Sequence, residues 1–230
     1  MEFNQEEFNQ FVLDNNIVGF FEKPITLKSG RKSNWYVNWR DVSNNAYLMN
    51  RLSNFVINFT KDLNLDPNCF YGVPEGATKL GSITQFRWAE MNGFLPPEKY
   101  PLPMGRGKPK DHGNPKDKYF VGAPEGGIIV LEDVTTTGGS LLTTLDSLSE
   151  LEDAHVIATI GLTNRMEKRD DGRSVKEAIE ERGIPYYHLS SGTVLLPKAY
   201  KKLKPGEIVR RSIEEEFKRY GVEKIVLEEL

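Results

Sequence analysis

The segment from residue 128 to residue 148 constrains the fold more than any other part of the chain. Residues 128–131 form a short apolar run of mostly β-branched residues, which is typical of a strand buried on both faces. Leu141, Leu145 and Leu148 then recur with the spacing of an amphipathic helix. Strand and helix patterns also alternate elsewhere along the chain. We therefore predict an α/β fold with a mainly parallel, doubly wound central sheet flanked by helices.

The link between this strand and this helix combines two acids with a loop that can enclose an anion. Glu132 and Asp133 follow the apolar run. The residues that lead from them into the helix are rich in hydroxyl groups and glycine: Val134, Thr135, Thr136, Thr137, Gly138, Gly139 and Ser140. Free N–H groups at a helix N-terminus favour a phosphate, whereas carboxylates accept hydrogen bonds from ribose hydroxyls or act through magnesium. The whole pattern indicates a sugar-phosphate site; a capped helix beside two solvated acids is the alternative for a shorter match.

Composition narrows the class of protein. The chain has 230 residues and a formal net charge of -3, so it carries no overall basic field for nucleic acid. Its one cysteine, Cys69, excludes a disulfide framework and suits a reducing compartment. We see neither a signal-peptide pattern nor an apolar run of membrane-spanning length. The expectation is a cytoplasmic protein with no membrane partner.

Periodicity predicts the order of the elements and the domain organisation. Helices are expected over residues 4–16, 48–63, 78–92, 137–151, 175–182 and 207–220. Strands are expected in a hairpin around Ser29 and Gly30 and over residues 69–73, 128–131, 155–163 and 185–189. Residues 93–127 are rich in Pro, Gly and charge and show little periodicity. We predict one domain over residues 1–230, with an N-terminal hood at 1–42, a core at 43–190 that includes a flexible loop at 104–120, and a C-terminal extension at 191–230.

A basic segment lies within that loop. Residues 105–118 carry five Lys or Arg against two Asp, although the protein as a whole is acidic. The glycines of the segment can act as hinges, and His112 stands beside lysines. Such a segment suits a mobile lid over a ligand with several phosphates, because closure excludes water and strengthens charge contacts. An exposed loop with solvating charges is the alternative.

Three motifs carry a resemblance to a known family. Residues 128–140 resemble the phosphoribosyl-diphosphate (PRPP) binding motif of type I phosphoribosyltransferases. Residues 26–38, Thr-Leu-Lys-Ser-Gly-Arg-Lys-Ser-Asn-Trp-Tyr-Val-Asn, are similar to the Leu-Lys-Ser-Gly-Arg-x-Ser-x-x-Tyr pattern that separates the orotate enzymes from other members. The lid residues resemble the catalytic loop of orotate phosphoribosyltransferases: Arg106, Lys110, Asp111, His112 and Gly113. The resemblance implies the type I phosphoribosyltransferase fold with a small N-terminal hood over a PRPP-binding core.

The resemblance also implies roles for individual residues. Those implied to be catalytic are Lys110, Asp133, Arg106 and His112. Those implied to bind orotate are Lys28, Tyr36, Val37, Thr136 and Arg165. Those implied to bind PRPP are the segment from Glu132 to Ser140, the lid residues Arg106, Lys110 and His112, and Glu75, Gly76 and Ala77 in the loop for the diphosphate.

The family chemistry implies transfer of ribose 5-phosphate from PRPP to orotate, giving orotidine 5′-monophosphate and diphosphate in pyrimidine (UMP) biosynthesis. Mg²⁺ would be carried by PRPP, without a metal site formed by the protein alone. The family also implies a homodimer in which the basic loop covers the neighbouring active site. A phosphoribosyltransferase for another nucleobase, or a non-catalytic regulator of the same fold that binds PRPP or a nucleotide, remain the alternatives.

The chain departs from the family pattern at three positions. Gly107 stands where the family usually has a lysine, with Lys108 one place later. Gly76 stands where some members have a lysine, beside the acidic Glu75. Asn164 replaces the usual acid before Arg165. The three motifs therefore match the family pattern in order and residue type. At two of the positions where a diphosphate would lie, Gly107 and Gly76, the chain lacks a cation.

Overall fold

The computed structural model describes residues 2–112 and 118–227, and its elements are numbered along the chain. The strands are β1 (Val18–Thr26), β2 (Lys32–Val37), β3 (Cys69–Gly72), β4 (Met104–Gly105), β5 (Phe120–Val121), β6 (Gly126–Thr135), β7 (Ala154–Asn164) and β8 (Tyr186–Ser191). The helices are α1 (Gln5–Asp14), α2 (Arg40–Ser43), α3 (Ala46–Asp62), α4 (Thr78–Met91), α5 (Gly139–Ser149), α6 (Val175–Glu180), α7 (Gly192–Leu203) and α8 (Glu207–Tyr220). A 3₁₀ turn covers Pro97–Lys99.

A parallel sheet of four strands lies at the centre, in the order β3-β6-β7-β8. Each strand is followed in the chain by a helix, as parallel pairing requires. The prediction of an α/β fold with a mainly parallel central sheet is thereby confirmed. Ligands of such sheets bind beyond the carboxyl ends of the strands, which is the edge where β6 and β7 deliver Thr135 and Asn164 as register partners.

The sheet is covered on both faces, which explains why residues 128–131 of β6 are apolar without interruption. On one face Phe70, Ile129 and Leu131 pack in a core shared with α1, α3 and the N-terminal hairpin. On the other face Ile128 and Val130 pack in a second core with residues of α5 and α6. Side chains alternate between the two cores because successive residues of a strand point to opposite faces.

The N-terminal hairpin and the C-terminal helices pack on each other. β1 and β2 pair antiparallel, with an irregularity between Phe20 and Ile25. α8 contacts both strands of the hairpin, and α7 contacts β1, β8 and α1. The predicted hood and C-terminal extension therefore pack on each other; their boundaries as units stay a prediction.

Most predicted elements are present, and a side-chain hydrogen bond caps the N-terminus of α1. The side chain of Asn4 accepts a hydrogen bond from the backbone N–H of Glu7 at 3.0 Å, which begins α1 where the sequence predicts it. The hairpin is longer than predicted, because β1 begins already at Val18. No helix among residues 2–112 and 118–227 is long and apolar enough to cross a membrane.

One sequence prediction needs correction, and one helix was not predicted. The strand predicted for residues 128–131 extends as β6 to Thr135, because β7 continues beside it and pairs with Glu132, Val134 and Thr135. The acids thus lie in a strand rather than in a loop.

No pattern predicted α7, since Pro197 lies inside this helix and proline is a helix breaker by propensity. Burial of Leu195 and Leu196 in the core outweighs that propensity.

Candidate functional site

A cleft at the carboxyl ends of β6 and β7 holds two adjoining cavities of about 480 and 470 Å³. We call the first the loop cavity, because the segment from Thr136 to Ser140 lines it, and the second the hairpin cavity, because Tyr36 and Val37 of β2 line it. Residues common to both walls are Lys28, Pro74, Gly107, Glu132, Val134, Thr136 and Ser140. Lys28 Nζ donates a hydrogen bond to Ser140 Oγ at 2.8 Å and so connects the hairpin to the loop.

The loop cavity has the properties of an anion site. Gly138 is the N-cap of α5 with φ of 71°, a left-handed conformation that glycine adopts without strain. Because the N-cap has no side chain, it offers no capping oxygen to the N–H groups of the first turn. Those groups and the helix dipole favour a phosphate-sized anion. From outside the cavity, Arg169 Nη1 donates to the Thr137 carbonyl at 2.5 Å and fixes the loop; sequence reasoning missed this support.

The two acids lie between the cavities. Glu132 is only 6% exposed and lines both, whereas the half-buried Asp133 lines the hairpin cavity. Burial, together with the charge of Asp133, raises the pKa of Glu132 well above its ordinary value. Asp133 Oδ1 accepts a hydrogen bond from the backbone N–H of Val134 at 2.9 Å. The neighbouring carboxyl groups therefore differ, because Glu132 is biased towards its neutral form.

Gly76 stands against the Asp133 carboxylate. A Cβ placed at Gly76 would collide with both carboxylate oxygens of Asp133. Glycine at this position therefore lets the loop after β3 approach the acid, and a lysine could be accommodated only if Asp133 moved. The departure from the family pattern at Gly76 has a physical reason in this chain.

Glu75 and Gly107 form a second close pair. A Cβ at Gly107 would collide with Oε1 of Glu75, so the carboxylate of Glu75 lies on the backbone at the base of the lid. Glu75, Gly76 and Gly107 all line the hairpin cavity. The missing lysine at Gly107 and the unexpected acid at Glu75 thus share one location.

All five residues predicted to contact the base line the hairpin cavity: Lys28, Tyr36, Val37, Thr136 and Arg165. They come from the hairpin, from the loop after β6 and from the end of β7, so the fold brings together three separate parts of the sequence. The cavity wall also includes Asn38 and the exposed Arg40, which sequence reasoning missed. A cation two residues after Asn38 was visible in the sequence, but only the turn into α2 brings it to the cavity.

Arg165 is held far more tightly than a surface arginine. It is 1% exposed, and its Nε donates to Glu167 Oε1 at 2.7 Å. Its Nη2 donates to Glu216 Oε1 at 2.8 Å and to Ser33 Oγ at 3.0 Å. Its Nη1 donates to the Trp35 carbonyl at 3.3 Å, and the guanidinium lies 3.6 Å from the centre of the Trp35 ring. The sequence predicted the location of this arginine and none of these partners.

The lid is only partly described. Its root continues the pairing of β4 with β5, since the N–H of Arg106 donates to the Tyr119 carbonyl at 2.8 Å and that of Lys110 to the Lys118 carbonyl at 2.8 Å. Arg106 lines the loop cavity of its own chain. Lys110 is half-buried and His112 exposed, and neither is among the residues that line the two cavities described. Gly113 lies outside the described residues.

Besides Lys110 and His112, two further residues predicted to bind PRPP do not line the described cavities. Thr135 is buried, and its hydroxyl shares a hydrogen bond of 2.6 Å with the Tyr186 hydroxyl across the sheet. Ala77 is buried at the start of α4, where its N–H donates to the Val73 carbonyl at 3.1 Å. Their side chains support the sheet and the turn, so any contact with a ligand would have to come from the backbone or after rearrangement.

Comparison with known proteins identifies the family. No protein-family model matches the chain. The orotate phosphoribosyltransferase of Bradyrhizobium diazoefficiens is 31% identical over 156 residues, which cover 64% of this chain and 76% of that protein. That of Lachnoclostridium phytofermentans is 28% identical over 233 residues, covering 97% and 100%. The crystal structure of the Francisella tularensis orotate phosphoribosyltransferase shares the fold with a TM-score of 0.65 at 19% identity, covering 94% and 99%. The chain therefore belongs to the orotate phosphoribosyltransferase family.

Proposed function

We propose that the protein transfers ribose 5-phosphate from PRPP to orotate, releasing orotidine 5′-monophosphate and diphosphate for pyrimidine (UMP) biosynthesis. The observation that carries the proposal is the division of one cleft into two adjoining cavities. One offers an anion site at a helix N-terminus, and the other gathers the five residues that the family pattern assigns to the base. The acids Glu132 and Asp133 lie where the two meet, as a ribose between a phosphate and a base would require.

The chemistry needs positioning and charge compensation rather than a protein nucleophile. The ring nitrogen of orotate attacks the anomeric carbon as the bond to diphosphate breaks, so positive charge develops on the ribose and negative charge on the leaving group. Holding both substrates in line removes much of the entropic barrier. In this proposal Asp133 holds the ribose and supports the developing positive charge, while Arg106, Lys110 and His112 move with the lid to stabilise the departing diphosphate.

Mg²⁺ enters the proposal as a partner of PRPP. This ion is held in proteins by one or two carboxylates together with substrate phosphates. The half-buried Asp133, beside Gly76 of the loop for the diphosphate, would supply such a carboxylate to an ion that PRPP carries, with Glu132 next to it. The bound ion would offset charge on the diphosphate, and the protein groups would orient the pyrophosphoryl end of the substrate.

The proposal includes a homodimer in the cytoplasm. Its support is an apolar surface around the root of the lid, whose exposed members are Phe86, Met91, Phe94, Leu95, Leu102, Met104 and Val121. Met104 and Val121 are register partners where the lid begins, and Phe86 and Phe94 have ring centres 5.7 Å apart. An apolar surface of this kind favours protein association, and a second copy there would place each lid beside its neighbour. Replacing Phe86 with Glu should shift the mass measured by light scattering from dimer to monomer.

A spectrophotometric assay tests the activity. Purified protein with PRPP and Mg²⁺ should consume orotate, with no turnover of adenine, hypoxanthine or uracil. Turnover of a purine with none of orotate would replace the proposal by transfer to another base. PRPP binding in a calorimeter with no turnover of any base would favour a regulator.

A lid variant tests the catalytic assignment. Lys110→Ala should lower turnover far more than it lowers PRPP affinity, because the lid acts mainly on the departing diphosphate. Lys118→Ala in the same loop is the matched control, and Lys108→Ala asks whether that lysine replaces the one missing at Gly107. Unchanged turnover in Lys110→Ala would remove Lys110 from the mechanism.

A further inference from the structure

Glu216 of α8 lies directly behind Arg165. It is 9% exposed, and its Oε1 accepts hydrogen bonds from Arg165 Nη2 at 2.8 Å and from Trp35 Nε1 at 3.2 Å. Its Oε2 accepts one from Ser33 Oγ at 2.9 Å. One carboxylate from the C-terminal helix thus fixes the arginine and also β2, the strand that supplies Tyr36 and Val37 to the hairpin cavity.

The second carboxylate near Arg165 cannot take over this task. Glu167 is bonded to Arg165 Nε, but its Oε2 accepts from Arg31 Nη1 at 3.1 Å. Arg31 in turn pairs with Asp170 and lies 4.4 Å from the centre of the Tyr220 ring. A series of ion pairs therefore leads from Arg31 through Glu167 and Arg165 to Glu216 of α8. Of the two carboxylates in this series, only Glu216 bonds both Arg165 and a residue of β2.

The donors of Arg165 can be counted. A guanidinium has five N–H groups, and the contacts with Glu167, Glu216, Ser33 and the Trp35 carbonyl occupy four of them. One N–H, on Nη1, stays available within the part of the chain that the structure describes. Arg165 lines the hairpin cavity while almost fully buried, so this N–H is the one donor that its side chain could offer to a ligand there without breaking an existing bond.

We infer that Glu216 is a positioning residue for Arg165, and that the C-terminal helix thereby sets the direction in which the hairpin cavity offers a donor to the orotate anion. The inference rests on the proposed function. It assigns α8 a part in substrate binding, although Glu216 itself touches neither cavity. A donor held in one direction favours an anion whose acceptor atom lies in line with it. The reason is that the hydrogen bond weakens steeply when the angle at the hydrogen changes.

The test compares variants of one helix. In Glu216→Ala the KM for orotate should rise by about tenfold, the loss expected for a hydrogen bond involving a charged group. In Glu216→Asp the carboxylate withdraws by one methylene group with its charge kept, and the KM for orotate should also rise. In Glu216→Gln an amide oxygen can still accept from Nη2, so the KM should stay close to that of the wild type. Throughout, the KM for PRPP should remain within about twofold.

Glu215→Ala is the matched control. Glu215 is the preceding residue, is exposed and pairs only loosely with Lys218 at 3.4 Å, so neither KM should change. Should Glu216→Ala fail to fold, as a melting curve would show, Glu216→Asp and Glu216→Gln decide. An equal rise in both KM values, or no rise for orotate, would overturn the inference while the wild type still consumes orotate. A wild type that consumes no orotate would instead refute the proposed function, and the inference with it.

Discussion

The two cavities of the cleft are constructed in different ways. The loop cavity takes its anion site from one continuous segment, Thr136 to Ser140, and relies on backbone N–H groups at a helix start. The hairpin cavity is assembled from β2, the loop after β6 and the end of β7, with α8 behind it. A continuous segment keeps its geometry through local turns, whereas an assembled wall needs long-range contacts to hold each side chain.

The difference extends to charge. Two guanidiniums and two carboxylates are buried behind the hairpin cavity, those of Arg31, Arg165, Glu167 and Glu216. Such a network tolerates the loss of a member badly, because an unpaired charge then stays buried. The loop cavity has no comparable network among the described residues that line it. Substitutions behind the hairpin cavity should therefore affect folding, and those at the loop cavity should mainly affect turnover.

The strongest test of that contrast is Arg165→Met. It leaves Glu167 and Glu216 buried without their shared cation, and the free energy of unfolding should fall by about 3–5 kcal/mol. Arg173→Met is the control, because Arg173 is exposed and pairs with Asp171 and Glu181 at the surface; its loss should change the free energy of unfolding far less, since solvent screens a surface ion pair. Urea unfolding followed by circular dichroism measures both. Equal losses of unfolding free energy in Arg165→Met and Arg173→Met would show that the buried network stabilises the fold no more than a surface ion pair does.

The next test concerns the two unequal acids, of which Glu132 lines both cavities and Asp133 lines the hairpin cavity. Asp133→Asn should lower kcat/KM for PRPP by about 10- to 100-fold, the loss of a charge-assisted hydrogen bond. Glu132→Gln should lower it by less, because the raised pKa of Glu132 already favours a neutral carboxyl group. Both variants should melt close to the wild type. A larger effect in Glu132→Gln would mean that the ionised form of Glu132 is the one that binds.

The same contrast explains how much the sequence could predict. The strand, the acids, the loop and α5 are adjacent in the chain, so their order alone indicated an anion site, and Gly138 lies where the pattern requires it. Arg165 could be located through its place after a strand. Its bond to Glu216 could not be predicted, since these residues are 51 positions apart and meet only once α8 packs on the hairpin.

Prediction also failed where packing outweighs local preference. α7 contains Pro197, and only the burial of its apolar side shows why it is a helix. Thr135 has the residue type of the loop, yet the strand continues and turns its hydroxyl to Tyr186. Arg40 reaches the hairpin cavity only because the chain turns into α2 after β2. Each of these outcomes depends on residues distant in the sequence.

Lys28 tests whether the two cavities act independently, since it lines both and bonds Ser140. Lys28→Met should raise the KM for orotate and the KM for PRPP by about tenfold each, because one cation is lost from both. Ser140→Ala removes the acceptor and should raise only the KM for PRPP, by a smaller factor. Initial rates with each substrate varied in turn measure both constants. A change confined to orotate in Lys28→Met would assign Lys28 to the hairpin cavity alone.

The smallest effect concerns the dependence of stability on pH. Burial, reinforced by the charge of Glu167 and opposed by that of Arg165, raises the pKa of Glu216 to about 7. Between the ordinary pKa of a glutamate and about pH 7, the folded chain therefore holds a proton that the unfolded chain has lost. This stabilisation is complete at low pH and disappears as pH rises through 7.

Glu216→Gln isolates that contribution, because the amide does not titrate. The stability of the wild type relative to this variant should fall between pH 5 and 8, with a slope below the limit of about 1.4 kcal/mol per pH unit for one proton. Urea unfolding of both proteins at each pH gives the difference, in which the titrations of Glu132 and His188 cancel. Parallel stability curves would mean that Glu216 is ionised in the folded protein throughout this range, and the network behind the hairpin cavity would then be charged on every member.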